Sequence, residues 1–240
     1  MENEILSPRE LRRYKPQIGF EGIGQAGQEK IKLAKILVIG AGGKGTSTLK
    51  TLITAGTGTI GICDDTLVDE ETLGRQSLYG DNDIGKQKAI VSKQYLKARN
   101  QFADIKVHNI RLSPDNLSKI IENYDILIDA TNNYPSHYAI SNAAQLFNKP
   151  LVFSSTFRNK AIVTVLEKSK GKSIGEIIPD ENRLETGNEN IFSPSVVTNA
   201  FTGIILANEA IKIVLGHPSA LHANLLIFDA SDYTFTLLPK

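Results

Sequence analysis

Gly40, Gly42 and Gly45 in the run Gly40-Ala41-Gly42-Gly43-Lys44-Gly45 satisfy a GxGxxG spacing between an apolar strand pattern and a helix pattern. There, backbone N–H groups and the helix dipole can receive phosphate oxygens. The same glycines would also serve a bare strand-to-helix turn, so the loop alone decides little. Asp64 narrows the choice. It falls 19 residues after Gly45, close to the spacing at which a carboxylate accepts ribose hydroxyls. Asp65, its neighbour, reads equally well as an exposed strand end.

NAD and ATP both fit these features, and the segment after Asp64 separates them. Leu73-Gly74-Arg75-Gln76 is followed by Asp83-Ile84-Gly85-Lys86-Gln87-Lys88, which brings cations and an amide to a loop and a helix start near the phosphates. A triphosphate carries charge that Arg75 and Lys88 can neutralise during phosphoryl or adenylyl transfer, whereas hydride transfer has no use for such a cluster. A solvated helix start is the plain alternative for Lys86.

Other reactive residue types are set aside. His108, His137, His217 and His222 show no ligand spacing and are read as surface or helix-end residues, and no metal cluster is expected. Ser154-Ser155 lacks a GxSxG elbow. Cys63, the single cysteine, excludes internal disulfides and paired CxxC zinc sites, and its place in a strand suits an inert core thiol. Arg158 and Lys160 follow a strand end and suit either a ligand crevice or a solvated turn; Lys168, Lys170 and Lys172 read as a basic loop.

The positioning elements follow from periodicity. Lys35–Ile39 is apolar on both faces, as in a parallel strand covered by helices, and Thr46–Ala55 then Thr59–Cys63 complete a βαβ unit. Helices are predicted over Lys86–Arg99, Pro114–Glu122 (opened by Ser113), Pro135–Phe147 and Ser195–Leu215. Strands are predicted over Ile105–Ile110, Asp125–Ala130, Leu151–Phe153 and Lys160–Glu167, with Asn224–Asp229 and Tyr233–Leu238 as a closing hairpin. Residues 1–33 read as an N-terminal helical segment, and 168–193 as an exposed crossover loop. The expected fold is α/β: a Rossmann-like, doubly wound, mostly parallel sheet with an antiparallel C-terminal extension, in one domain spanning 1–240.

Composition excludes several classes. The chain has 240 residues, 41% of them apolar, and its 27 basic and 26 acidic side chains leave a formal charge of +1. No global field draws it to nucleic acid or to a membrane surface. Its N-terminus is charged, and no uninterrupted apolar run approaches the roughly 20 residues of a membrane span. A soluble, cytoplasmic protein is expected.

In combination these motifs resemble the ThiF/MoeB/HesA family, itself similar to the adenylation domain of ubiquitin-activating enzymes. Arg13-Tyr14 with Gln17-Ile18 resembles the family's N-terminal RYxRQ segment. The resemblance continues through Gly40–Gly45, Asp64, Leu73 with Arg75-Gln76, and Gly85 with Lys88, and ends with Asp129-Ala130-Thr131-Asn132-Asn133, similar to DxTDN. It implies an adenylyltransferase that uses ATP with Mg²⁺ to activate the C-terminal Gly-Gly carboxylate of a small ubiquitin-like sulfur carrier, releasing pyrophosphate and working as a homodimer. Gly40, Gly42, Gly43 and Gly45 would then cradle phosphates and Asp64 the ribose. Arg75 and Lys88 would stabilise charge on the α-phosphate, Gln76 would support Arg75, and Asn132 would sit among the nucleotide contacts.

Three positions depart from the family pattern. Asn132 stands where the family has a metal-associated aspartate, and an amide is a poorer Mg²⁺ ligand than a carboxylate. Pro16 stands where an arginine reaches into the partner subunit's site, and Thr72 replaces an asparagine. Lys15 cannot offer the missing arginine's bidentate fork. No cysteine occupies the crossover loop, so a reaction on this chain is expected to stop at adenylation. Two rival readings stay open: a catalytically weakened nucleotide-binding scaffold, and an NAD-dependent oxidoreductase.

Overall fold

The computed structural model describes residues 4–112, 114–167, 174–177, 194–222 and 224–239. Ser113, expected to open a helix, lies outside them, as does most of the expected crossover loop.

In chain order the elements are α1 (Pro8–Ile18), α2 (Gly24–Leu33), β1 (Lys35–Ile39), α3 (Gly43–Ala55), β2 (Thr59–Cys63), α4 (Glu70–Leu73) and α5 (Lys88–Arg99). There follow β3 (Asp104–His108), α6 (Pro114–Ile121), β4 (Ile126–Asp129), α7 (Tyr134–Leu146), β5 (Leu151–Phe157) and β6 (Lys160–Leu166). The chain closes with α8 (Ile174–Ile177), α9 (Val196–Leu215), β7 (Asn224–Asp229) and β8 (Thr234–Pro239). The eight strands among the described residues form one sheet in the order β3-β2-β1-β4-β5-β6-β7-β8. The first five run parallel, and β6, β7 and β8 extend the sheet antiparallel. This is the doubly wound α/β architecture with an antiparallel extension that the element order predicts.

Period-two alternation divides β1 between two cores. Ile36 and Val38 join Leu49, Leu52, Ile60 and Leu206 in one cluster, while Leu37 and Ile39 join Leu117, Ile121, Leu127 and Phe153 in the other. Each β1 side chain from Ile36 to Ile39 is almost fully buried, so truncating Leu37 to alanine would cost about 2–5 kcal/mol. The strand order reverses between β1 and β4, and a ligand crevice opens beyond the carboxyl ends of strands at such a switch point.

The differences from expectation lie at element ends. α3 begins at Gly43, three residues earlier than periodicity suggests, because Gly42 serves as its N-cap from inside the glycine run. α5 begins at Lys88, two residues late, because Val68 N–H donates to the Lys86 carbonyl at 2.8 Å and Lys88 N–H to the Thr66 carbonyl at 3.0 Å, holding 86–88 against the preceding loop. The 168–193 stretch is not wholly an exposed loop: it contains α8, whose Ile174 is buried in the second core. Among the described residues one helix, α9, is long and apolar enough to cross a membrane. Here Leu206, Ala207 and Ala210 are buried in the first core, and Thr48 of α3 donates through Oγ1 to the Gly203 carbonyl at 3.0 Å.

The predicted N-terminal helical segment is α1 and α2. A capping box between Ser7 and Glu10 opens α1, and Lys32 of α2 reaches Glu10 at 2.6 Å. Tyr14 is buried and accepts from Asn100 Nδ2 at 2.8 Å, while Gln17 Nε2 donates to the Ala55 carbonyl at 2.9 Å. The Arg13–Gln17 segment thus docks α1 onto the ends of α3 and α5, with Lys15 and Pro16 pointing away from those contacts.

Candidate functional site

The glycine loop leaves β1 at Gly40, whose φ of 95° is a left-handed conformation that side chains other than glycine rarely adopt. A Cβ on Gly45 would lie 1.9 Å from the Gly40 carbonyl oxygen, so the loop can fold back on itself only with glycine there. Gly42, the N-cap of α3, supplies no side-chain hydrogen bond, and the first N–H groups of that helix are therefore left for an anion.

Side chains from three neighbouring segments fix the loop. Asp64, at the end of β2, accepts from Ala41 N–H at 2.7 Å through Oδ2, and through Oδ1 from Thr66 N–H and Oγ1 at 2.9 and 2.6 Å. It remains partly exposed. Tyr79 Oη donates to the Ala41 carbonyl at 2.7 Å and lies 3.1 Å from Ser92 Oγ on α5. Burial pushes the Tyr79 hydroxyl's pKa up, which keeps it a donor. The Gln76 side chain lies over Gly42, with Nε2 at 4.0 Å from where a Cβ would stand, and its buried Oε1 has no hydrogen-bond partner among the described residues.

Arg75 and Gln76 follow α4, which is opened by reciprocal bonds between Asp69 and Thr72. Thr72 N–H donates to Asp69 Oδ1 at 2.7 Å, and Asp69 N–H to Thr72 Oγ1 at 3.3 Å. Thr72, the departure from the family pattern, is thus a capping residue here. Arg75 pairs with Glu71 at 3.8 Å and is about a third exposed; Lys88 is 8% exposed at the start of α5. Hydrogen bonds from Thr72 hold the Asp69 carboxyl below the usual range, and the nearby Lys88 and Arg75 charges lower it further. Arg75 and Lys88 thus both act on Asp69.

The floor of the crevice is built where β4 ends. Asp129 is fully buried; Oδ1 accepts from Thr131 N–H at 2.9 Å and Thr131 Oγ1 at 2.7 Å, and Oδ2 lies 2.7 Å from His137 Nδ1. Burial alone would raise the Asp129 pKa, but His137, Lys44 and Thr131 together hold it below the ordinary value. His137, expected at the surface or a helix end, is 1% exposed and packs edge-on to Phe153. His137 does sit at a helix end, but not at the surface, because the first turn of α7 rests on the carboxyl end of β4 and the ring turns inward onto Asp129. Asn133 caps α7, accepting from Ser136 N–H at 2.9 Å.

Lys44 is the feature that sequence reasoning passed over. Though it belongs to the glycine run it is 2% exposed, and its ammonium donates to the Thr131 carbonyl at 2.7 Å, Asn132 Oδ1 at 2.9 Å and the Ser154 carbonyl at 3.2 Å. Burial lowers its pKa to about 8, with Asp129 opposing the shift. Asn199 of α9 was also missed; it stands against Gly43, where a Cβ would fall 2.7 Å from its Nδ2. A lysine within a glycine-rich turn is a visible signal, whereas nothing in the sequence marks Asn199.

The remaining candidates separate from the site or stay inert. Lys160 pairs with Asp229 at 3.2 Å, and the Arg158 guanidinium lies over the Phe157 ring. Burial, with Asp64 and Asp65 nearby, pushes the Cys63 thiol up to about 12, so it is no nucleophile at neutral pH.

The residues present fit an adenine nucleotide: uncapped helix N–H groups, with Asp64 and Gln76 beside them. They do not fit a divalent cation anchored by the protein. Among the described residues no three His, Cys, Asp or Glu side chains cluster to hold a metal, and Asn132 Oδ1 already accepts from Lys44 and, at 2.9 Å, from Thr156 Oγ1.

Comparison with known proteins identifies the family. The model of the ThiF family matches residues 14–240. The chain is 34% identical over 241 residues to a probable molybdopterin-synthase adenylyltransferase of Gracilaria tenuistipitata var. liui, covering 99% of this chain and 68% of that protein. It is 33% identical over 241 residues to the sulfur carrier protein adenylyltransferase of Thermus thermophilus, covering 95% and 87%. With the adenylyltransferase and sulfurtransferase MOCS3 of Culex quinquefasciatus it shares 36% identity over 233 residues, but it spans only 53% of that longer protein. In fold it resembles PaaA (TM-score 0.83, 20% identity, covering all of this chain and 76% of the other) and E. coli MccB crystallised with AMPCPP and MccA (TM-score 0.81, 20% identity, covering 100% and 73%).

Proposed function

Because the chain belongs to the ThiF family, we propose that it is an ATP-dependent adenylyltransferase that activates the C-terminal carboxylate of a small ubiquitin-like sulfur-carrier protein or peptide. The observation that carries this reading is the uncapped start of α3 framed by Asp64 and Gln76.

In this reading Gly40, Gly42, Gly43 and Gly45 receive the phosphates and Asp64 the ribose hydroxyls. A carboxylate oxygen of the carrier attacks the α-phosphorus of ATP, a new P–O bond forms, and the bond to the β-phosphate oxygen breaks to release pyrophosphate. No covalent intermediate on this chain is required. Arg75 and Lys88 stabilise the charge that develops on the α-phosphate, each contributing on the order of 10²–10³ in rate. Asn132 Oδ1 is engaged by Lys44 and Thr156 and takes no part on the reacting atoms. Mg²⁺ would enter with ATP and supply charge neutralisation at the phosphates; among the described residues no cluster of three His, Cys, Asp or Glu side chains stands to hold it.

The chain is read as one nucleotide-binding domain acting in the cytoplasm as a homodimer. Self-association is supported by apolar side chains left exposed on α9 and the edge strand β8, among them Val197, Phe201, Ile204, Phe235 and Leu237.

Isotope exchange between pyrophosphate and ATP, measured with carriers ending in Gly-Gly, tests the reading: carrier-dependent exchange is expected. Absence of exchange with every carrier, while ATP still binds, would favour a nucleotide-binding scaffold. That second reading draws on Pro16, which carries no charge, and on the neutral Asn132. Kinship with adenylyltransferases leaves the oxidoreductase reading without support.

A further inference from the structure

We propose that Lys44 is the resident cation of this site and that it withholds Asn132 from metal coordination, so that a divalent ion arriving with ATP is held by nucleotide oxygens and water alone. The inference rests on the ATP reading above. It starts from a side chain that ought to be elsewhere: lysine is almost never fully buried unless its charge is met.

Here all three donors are met. An ammonium carries three N–H donors, and Lys44 directs them to three acceptors: the Thr131 carbonyl, Asn132 Oδ1 and the Ser154 carbonyl, at 2.7, 2.9 and 3.2 Å. The buried Asp129 carboxylate lies near enough to supply countercharge. One side chain from the first turn of α3 thereby ties together the loop after β4 and strand β5.

The consequence falls on Asn132. An amide oxygen has two lone pairs, and both are used, one by Lys44 Nζ and one by Thr156 Oγ1. A metal ion could take Asn132 Oδ1 only by displacing one of these donors, and it would then face an ammonium at contact distance. Asp129 offers no substitute, because its two oxygens are engaged by Thr131 and His137. Placing a carboxylate at position 132 would therefore form an ion pair with Lys44 rather than a metal ligand. Lys44 is a positioning residue in this account: it acts on the site through residue 132.

The experiment titrates Mn²⁺, followed by electron paramagnetic resonance, into the full chain saturated with the non-hydrolysable ATP analogue AMPCPP. Binding of the analogue in EDTA is measured first by calorimetry. Asn132→Asp alone should leave the Mn²⁺ affinity of the complex within about twofold of the parent, whereas Asn132→Asp combined with Lys44→Met should raise it about tenfold or more, as freeing a ligand does. Tenfold tightening by Asn132→Asp with Lys44 in place would overturn the inference, as would a folded double variant with unchanged affinity. If the double variant does not fold, the Asn132→Asp arm decides by the same threshold. No binding of the analogue with or without metal would instead overturn the ATP reading, and this inference with it.

Discussion

Lys44 Nζ lies 2.9 Å from Asn132 Oδ1, which couples the first turn of the phosphate-loop helix to the loop that follows the fourth strand. Both residues are polar, both come from motifs that face the crevice, and one of them is almost wholly buried. Their contact sets the first prediction.

Folded Lys44 loses its proton near pH 8, while an unfolded lysine keeps it to about 10.5. Between those values the unfolded state binds more protons, so stability should rise with pH, the gain being full above about 10.5 and absent below about 8. Relative to Lys44→Met, the parent should gain on the order of 3 kcal/mol across that window, measured by denaturant titration at several pH values. A difference that stays flat or falls would contradict the burial of this ammonium.

Tyr79→Phe removes the donor that meets the buried Ala41 carbonyl. The expected loss is about 1–3 kcal/mol of unfolding free energy, since the carbonyl is left unpartnered. A loss under about 0.5 kcal/mol would mean that water replaces the hydroxyl.

If Asp64 reads the ribose, the parent should prefer ATP to 3′-deoxy-ATP, and Asp64→Ala should bind both with similar, roughly tenfold or more weakened affinity. Calorimetry with the two nucleotides checks this. Preserved discrimination in Asp64→Ala would confine Asp64 to its bonds with Ala41 and Thr66.

Gly45→Ala places a Cβ 1.9 Å from the Gly40 carbonyl oxygen, against backbone that cannot give way cheaply. Loss of folding, or destabilisation beyond about 4 kcal/mol, is expected by circular dichroism and thermal unfolding. Near-parental stability would show that the loop has another conformation available.

Arg75→Ala and Lys88→Ala should each lower carrier-dependent pyrophosphate exchange about 10²- to 10³-fold while thermal stability changes little for Arg75. An exchange rate within about threefold of the parent in either variant would remove that residue from the charge-stabilising role.

Much of the molecule is legible in the sequence because its signals are local. Lys35–Ile39 and Thr59–Cys63 are apolar runs rich in β-branched residues, and the strands match them residue for residue. Helix α9 ends at Gly216 with φ 73°, as its stop signal requires. Element starts are less legible where a neighbouring segment competes for the backbone, as at Lys86–Lys88, whose hydrogen bonds run to Thr66 and Val68.

The sequence by itself determined the βαβ unit, the glycine loop and the acidic residue after the second strand, because periodicity and spacing along the chain encode them. Only the tertiary structure decided where Lys44 and His137 point. Lys44 meets partners 87, 88 and 110 residues away, and His137 turns onto a carboxylate at the end of a central strand. Burial of a charge depends on acceptors that converge only when the sheet is assembled, and no window of sequence contains them together.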